Sequence, residues 1–267
     1  MDAVDGLRYE RTGGVATFTL DRPEKLNAIR WPMVTGLSRG VAEAGRDPDV
    51  RVIVITGAGR AFSSGDDIVG GMGDEVKMDA RSRVAAAATH GFHHELVQTL
   101  LSTPKPIVAA LNGRCHGAGW VIALACDFRV ARDDVLIGDI RSGKAIFANQ
   151  GVGLMLPHLI GASRAMDLLV TGRVIDAAEA ERYGILARVW PAADWDRELT
   201  SFVGELAEGP TRTYAAWKAS VNRGVLGELD AYTDHERMLD LSLMGSEDTI
   251  EGVHAFRERR PPRFTGH

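Results

Sequence analysis

Two glycine-rich turns hold the residue types best suited to chemistry. Gly59-Arg-Ala-Phe-Ser-Ser64-Gly65-Asp66-Asp67-Ile68 follows a β-branched run at 50–56. Asn112-Gly-Arg-Cys-His-Gly117-Ala118-Gly119-Trp120 leads from an apolar run at 106–111 into a helical stretch. Small residues at a helix start let a ligand approach backbone N–H groups that have no internal acceptor. One such N–H from each turn can hold a carbonyl oxygen as it becomes an enolate. Other motifs are weaker. Gly138–Lys144 fits G-x-x-x-x-G-K, but Ala145 stands where a phosphate loop needs Ser or Thr. Ala61-Phe-Ser63-Ser-Gly65 is one residue from G-x-S-x-G, yet residues 57–62 separate its serine from the strand. His90, His93 and His94 share a helical face without acidic or cysteine partners at ligand spacing, which reads as a solvated face and no metal site.

The elements that position these turns alternate. Residues 15–20 alternate like a strand, and 50–56, 106–111 and 127–131 are further strand candidates. Helical patterns cover 32–46, roughly 81–101 and 118–125, so the order is α/β with repeated crossovers. Asp176-Ala-Ala-Glu179 has capping-box spacing before a helix that stops at Gly184. From 195 to 259 the patterns are helical, broken at Gly209-Pro210. The reading is an α/β core over 1–194 and a helical region over 195–267. A net charge of −5 excludes a generally basic nucleic-acid surface. No apolar run is long enough to span a bilayer, no secretory signal opens the chain, and the two cysteines suit a reducing compartment. Together these point to a cytoplasmic protein without nucleic-acid or membrane partners.

The residues also carry a resemblance. The stretch from Gly13 to Ala28, the loop from Val52 to Ile68, Lys105-Pro-Ile-Val-Ala-Ala-Leu-Asn-Gly113 and Ala255-Phe-Arg-Glu-Arg-Arg-Pro-Pro-Arg-Phe264 resemble the enoyl-CoA hydratase/isomerase family, the crotonase superfamily. The resemblance implies a crotonase-like spiral of ββα turns with two roughly perpendicular sheets. It implies a C-terminal trimerisation region giving a homotrimer or a dimer of trimers. It also implies an acyl-CoA substrate, coenzyme A entering only as part of that substrate, with no separate cofactor. By position the oxyanion amides fall on Ser64 and Ala118. Coenzyme A contacts fall on Lys25, Leu26 and Ala28, and on the backbone of Asp66, Asp67 and Ile68. Arg22, Lys25 and Arg30 supply local cations for an anionic ligand.

Two positions depart from the family. Its hydratases use two glutamates to activate water; here Val121 and Arg141 stand in their places. General acid–base catalysis contributes about 10²–10⁴-fold per group, so losing both directs attention to other proton carriers. The candidates are Asp139, His116, a residue type that ordinarily titrates near neutral pH, and Arg141, a fixed cation suited to a substrate carboxylate. Asp127 reads as loop-ordering. The expected function is enolate stabilisation in an acyl-CoA-processing enzyme, nominally of the hydratase type. The alternatives are decarboxylation, isomerisation or C–C hydrolysis of a β-keto acyl-CoA, and a non-catalytic acyl-CoA-binding homologue.

Overall fold

The computed structural model describes residues 4–67 and 91–267. Ile68, His90, the side chain of His93 and the first part of the helix expected over roughly 81–101 lie outside the described residues.

Among the described residues the larger sheet has six strands, laid side by side in the order in which they occur along the chain. β1 (Leu7–Thr12) and β2 (Val15–Leu20) form an antiparallel hairpin. β3 (Val52–Gly57), β5 (Ile107–Leu111), β7 (Phe128–Arg132) and β10 (Arg188–Trp190) extend it in parallel. The smaller sheet runs β4 (Ala61–Ser63), β6 (Arg114–His116), β8 (Leu136–Gly138) and β9 (Ile175–Asp176), with only the last pair antiparallel. Each of β3, β5 and β7 passes directly to a short strand of the second sheet, which is the expected ββα progression.

Among the described residues ten α-helices surround the sheets: α1 (Trp31–Arg46), α2 (Gly91–Ser102), α3 (Ala118–Ala125), α4 (Val152–Ile160), α5 (Ala162–Thr171), α6 (Ala177–Arg182), α7 (Trp195–Glu208), α8 (Thr211–Val221), α9 (Arg223–Leu243) and α10 (Glu247–Glu258). Asp176 caps α6 by accepting Glu179 N–H at 2.8 Å, as the spacing predicts.

β3 is buried along nearly its whole length because both faces are covered. Ile53 and Ile55 face the main core with Phe62, Leu100 and Trp120. Val52 and Val54 face the other way, against Val108, Val130 and the Trp195, Phe202 and Val203 side chains of α7. The division expected at residue 194 therefore falls just before a helix that packs back onto the sheet. The apolar residues of the helical region, the part expected to carry trimerisation, fall into covered and exposed sets. Leu229 is buried against this chain's own core, with Leu226 and Tyr232 packed beside it. Trp217, Val221, Met238, Leu239 and Leu243 stay exposed. Among the described residues no helix is long and apolar enough to cross a membrane.

Candidate active site

The first turn is organised from the residues before α1. Leu26 and Asn27 both adopt left-handed backbone, with φ of 52° and 56°. Asn27 is fully buried, and its Nδ2 donates to Ala58 O at 2.9 Å and Ala61 O at 2.7 Å. Its backbone O accepts the Ser63 hydroxyl at 2.8 Å, and Ser63 Oγ in turn accepts Gly65 N–H at 3.1 Å. A two-bond ladder completes the dock: Ile29 N–H donates to Gly65 O at 2.8 Å, and Asp67 N–H donates to Ile29 O at 2.9 Å. In a parallel bridge of this kind Ile29 makes both bonds, so the N–H of Asp66 itself points away from Ile29.

Three expectations change here. Ser64 N–H donates to Leu26 O at 2.9 Å, so this amide is committed to the turn and does not fit as an oxyanion donor. Arg22 pairs with Asp67 at 2.9 Å and donates to Ala28 O at 2.6 Å, so it clamps the turn to the loop instead of offering a free cation. Arg30 pairs with Asp5. Lys25 is exposed and has no ion pair among the described residues, leaving it as the available positive charge of the three.

The second turn meets the first. A Cβ on Gly65 would lie 3.2 Å from His116 O, 3.3 Å from Gly117 Cα and 3.5 Å from Ala118 N. A Cβ on Gly119 would lie 2.6 Å from Ser63 Cβ. The two glycines are what allow the loops to touch, and Gly65 also needs its φ of +97°. Ala118 is the first residue of α3, so its N–H has no intrahelical acceptor. Among the described residues it donates to no backbone carbonyl.

His116 ends β6, in register with Gly138 of β8. Its Nε2 is buried and lacks a hydrogen-bond partner among the described residues, as does Trp120 Nε1. Burial, reinforced by Arg114 and Lys144 and opposed by Asp139, pushes its pKa down to about 4, so the imidazole is neutral at neutral pH. Val121 is buried one turn into α3 and can move no proton.

Asp139 and Arg141 satisfy each other. Arg141 Nε donates to Asp139 Oδ1 at 2.8 Å and Nη2 to Oδ2 at 2.6 Å, while Nη1 reaches Gln150 Oε1 at 2.9 Å. Burial alone would push the Asp139 carboxyl up, but the charge and hydrogen bonds of Arg141 more than offset it and hold it below the usual carboxylate range. Burial works against the Arg141 charge in the same way, and Asp139 outweighs it, leaving the guanidinium above its ordinary value. The fork expected to bind a substrate carboxylate is therefore occupied, and Asp139 has both oxygens engaged. These two expectations are replaced by a buried structural pair. The phosphate-loop look-alike is spent similarly: Lys144 donates to Ile140 O at 3.2 Å and lies over the Phe256 ring. Asp127 orders its loop as expected, accepting Ile107 N–H and Lys218 Nζ, both at 2.8 Å.

This geometry joins two adjacent glycine turns, a helix N-terminus and a neutral imidazole. The family model for enoyl-CoA hydratase/isomerase matches residues 10–267. The chain belongs to the enoyl-CoA hydratase/isomerase family, the crotonase superfamily. A Rhodobacter capsulatus protein named "Probable enoyl-CoA hydratase" is 34% identical over 264 residues, covering 97% of this chain and 98% of its own. The 1,2-epoxyphenylacetyl-CoA isomerase of Escherichia coli is 32% identical over 267 residues, covering 95% of each. The crystal structure of an enoyl-CoA hydratase from Mycobacterium avium subsp. paratuberculosis K-10 superposes with a TM-score of 0.87 at 31% identity, covering 98% of this chain and all of that one. This enoyl-CoA hydratase/isomerase family member also uses residues that sequence reading did not single out. Asn27 organises the first turn, Gln150 holds Arg141, and Glu236 from α9 reaches Gly151. Gln150 and Glu236 belong to no local motif, so only the tertiary fold reveals them.

Proposed function

We propose that this protein isomerises the double bond of an enoyl-CoA through a thioester enolate. The thioester oxygen sits between Asp66 N–H and Ala118 N–H, and the Lys25 ammonium faces the coenzyme A phosphates. The orientation of Asp66 away from Ile29, and the contact of Gly65 with Ala118, support this donor pair in place of Ser64. Two backbone donors aimed at a developing oxyanion are worth about 10²–10³-fold each in turnover.

The observation that carries the choice of reaction is the neutral Nε2 of His116, without a hydrogen-bond partner among the described residues, two residues before Ala118 and near an apolar Val121. Hydration needs two groups to place and split a water. Isomerisation needs one base that removes a proton and returns it. In the tautomer with its proton on Nδ1, His116 Nε2 takes a C2 proton from a 3-enoyl thioester, leaving a dienolate held by the two amides. The imidazolium then delivers that proton to C4, giving the 2-enoyl thioester. The occupied Arg141 fork argues against decarboxylation through that residue.

The test is to supply purified protein with a 3-enoyl-CoA and with crotonyl-CoA. Formation of the conjugated thioester is expected to exceed crotonyl-CoA hydration. His116→Gln is expected to lower isomerisation by about 10²–10⁴-fold. Hydration with kcat/KM of about 10⁴–10⁸ M⁻¹s⁻¹, or a fully active His116→Gln protein, would overturn the reading.

A further inference from the structure

The buried stripe of α9 begins apolar and ends acidic: Leu229, Thr233, Glu236, Asp240. A helix face packed on a core is ordinarily apolar throughout, so the change needs a reason. Leu229 packs on the core. Two turns later Glu236, only 2% exposed, accepts Gly151 N–H at 2.7 Å through Oε2, bridging 85 positions of sequence. A Cβ at Gly153 would lie 3.3 Å from Glu236 Oε1 and 2.6 Å from the Tyr232 hydroxyl, so a glycine there leaves room for the carboxyl. No cationic side chain forms an ion pair with Glu236 among the described residues. A buried carboxyl held mainly by backbone amides is costly to keep for packing alone.

Its hydrogen bond leads into the site. Gly151, with φ of +76°, caps α4, and Gln150 immediately before it holds Arg141 Nη1. Arg141 is locked to Asp139, one residue beyond the strand position paired with His116. We propose that Glu236 is a positioning residue of the active site, fixing through Gly151 and Gln150 the Arg141–Asp139 pair beside His116. The proposal rests on the acyl-CoA reading above.

Burial pushes the Glu236 carboxyl up to about 7, with the Gly151 and Gly153 amides and Arg141 opposing and Asp240 adding to the rise. Tyr232 and Asp240 are the titratable neighbours on α9 itself, and Arg141 faces it from the segment after β8. From α2, His94 pairs with Asp230 nearer the start of α9. A carboxylate accepts amide hydrogen bonds more strongly than a neutral acid does. The turn is therefore held firmly above neutrality and loosens below it.

Two measurements test this on the whole 267-residue chain. In ligand-free protein, the infrared carbonyl band of a neutral carboxyl, taken as wild type minus Glu236→Gln, is expected to disappear as pH rises through about 7. Binding of acetoacetyl-CoA to wild type is expected to weaken below that pH by up to about tenfold per unit, as one linked proton requires. Glu236→Gln keeps an acceptor but loses the charge, and its affinity is expected to be flat across the same range. The same pH break in wild type and Glu236→Gln, or no titrating carboxyl band, would overturn the role. A titrating band with no acetoacetyl-CoA binding at any pH would overturn the acyl-CoA reading, and the positioning role with it.

Discussion

Arg141 carries its charge into the interior beside a partner only two positions away, and that closeness governs what either group can do. Removing one member of a buried ion pair strands the other, at a cost of about 3–5 kcal/mol. Asp139→Asn is expected to lower stability by about that much in a urea titration. Arg141→Glu should be worse, because it sets two carboxylates against each other and leaves Gln150 without its donor. Restoring a hydratase glutamate at this position would therefore damage the fold before it could create an activity. Glu236 gives a pH prediction of opposite sign from a salt-bridged carboxylate. Its folded value of about 7 lies above the ordinary unfolded one of about 4.3, so its favourable contribution is full below the latter and is lost as pH rises through the former. Wild type is expected to lose urea resistance between mildly acid and mildly alkaline pH, and Glu236→Gln to lose less. The charges at 139 and 141 are plain in the sequence, but their pairing is not. Spacing of two suits a substrate-facing dyad as well as a closed pair, and only burial decides.

At the scale of elements, the site is a contact between loops set by β-strand geometry. Gly119→Ala would bring a methyl into Ser63 Cβ, an overpacking that typically costs about 1–3 kcal/mol. Acyl-CoA binding is expected to weaken more than stability suggests, since the displaced atoms lie between the two glycine turns. Calorimetry with the same thioester, alongside a urea titration, checks both. These turns were legible because glycine clusters announce them, and 50–56 was legible because Val-Arg-Val-Ile-Val-Ile-Thr has no other easy home. That Ser64 N–H is taken up by Leu26 O was not legible, for a physical reason. The register between Ile29 and Asp66 decides which amide turns outward, and register between distant segments leaves no local trace. The strands β4, β6 and β8 have three residues each, too few for alternation to register. β1 escaped because most of its residues are partly or fully exposed.

For the whole molecule, the exposed apolar residues of the helical region ask for a partner. Val221 is 74% exposed, Met238 70% and Trp217 67%, far more than a solvated helix gains from. Association of identical chains, as trimers or paired trimers, is the expected use. Light scattering at micromolar concentration should report a mass at least three times that of the chain, and a monomer alone would refute this. The helical region also grips the rest of its own chain through many polar contacts, two of which hold a buried group or a turn. Lys218 neutralises Asp127 at the foot of β5, and Glu236 grips Gly151. A chimera whose residues 195–267 lacked counterparts of Lys218 and Glu236 would leave a bare carboxylate on one side and an unheld turn on the other. Recombination at residue 194 therefore has to keep both contacts, because the helical region and the core it rests on are packed as one unit.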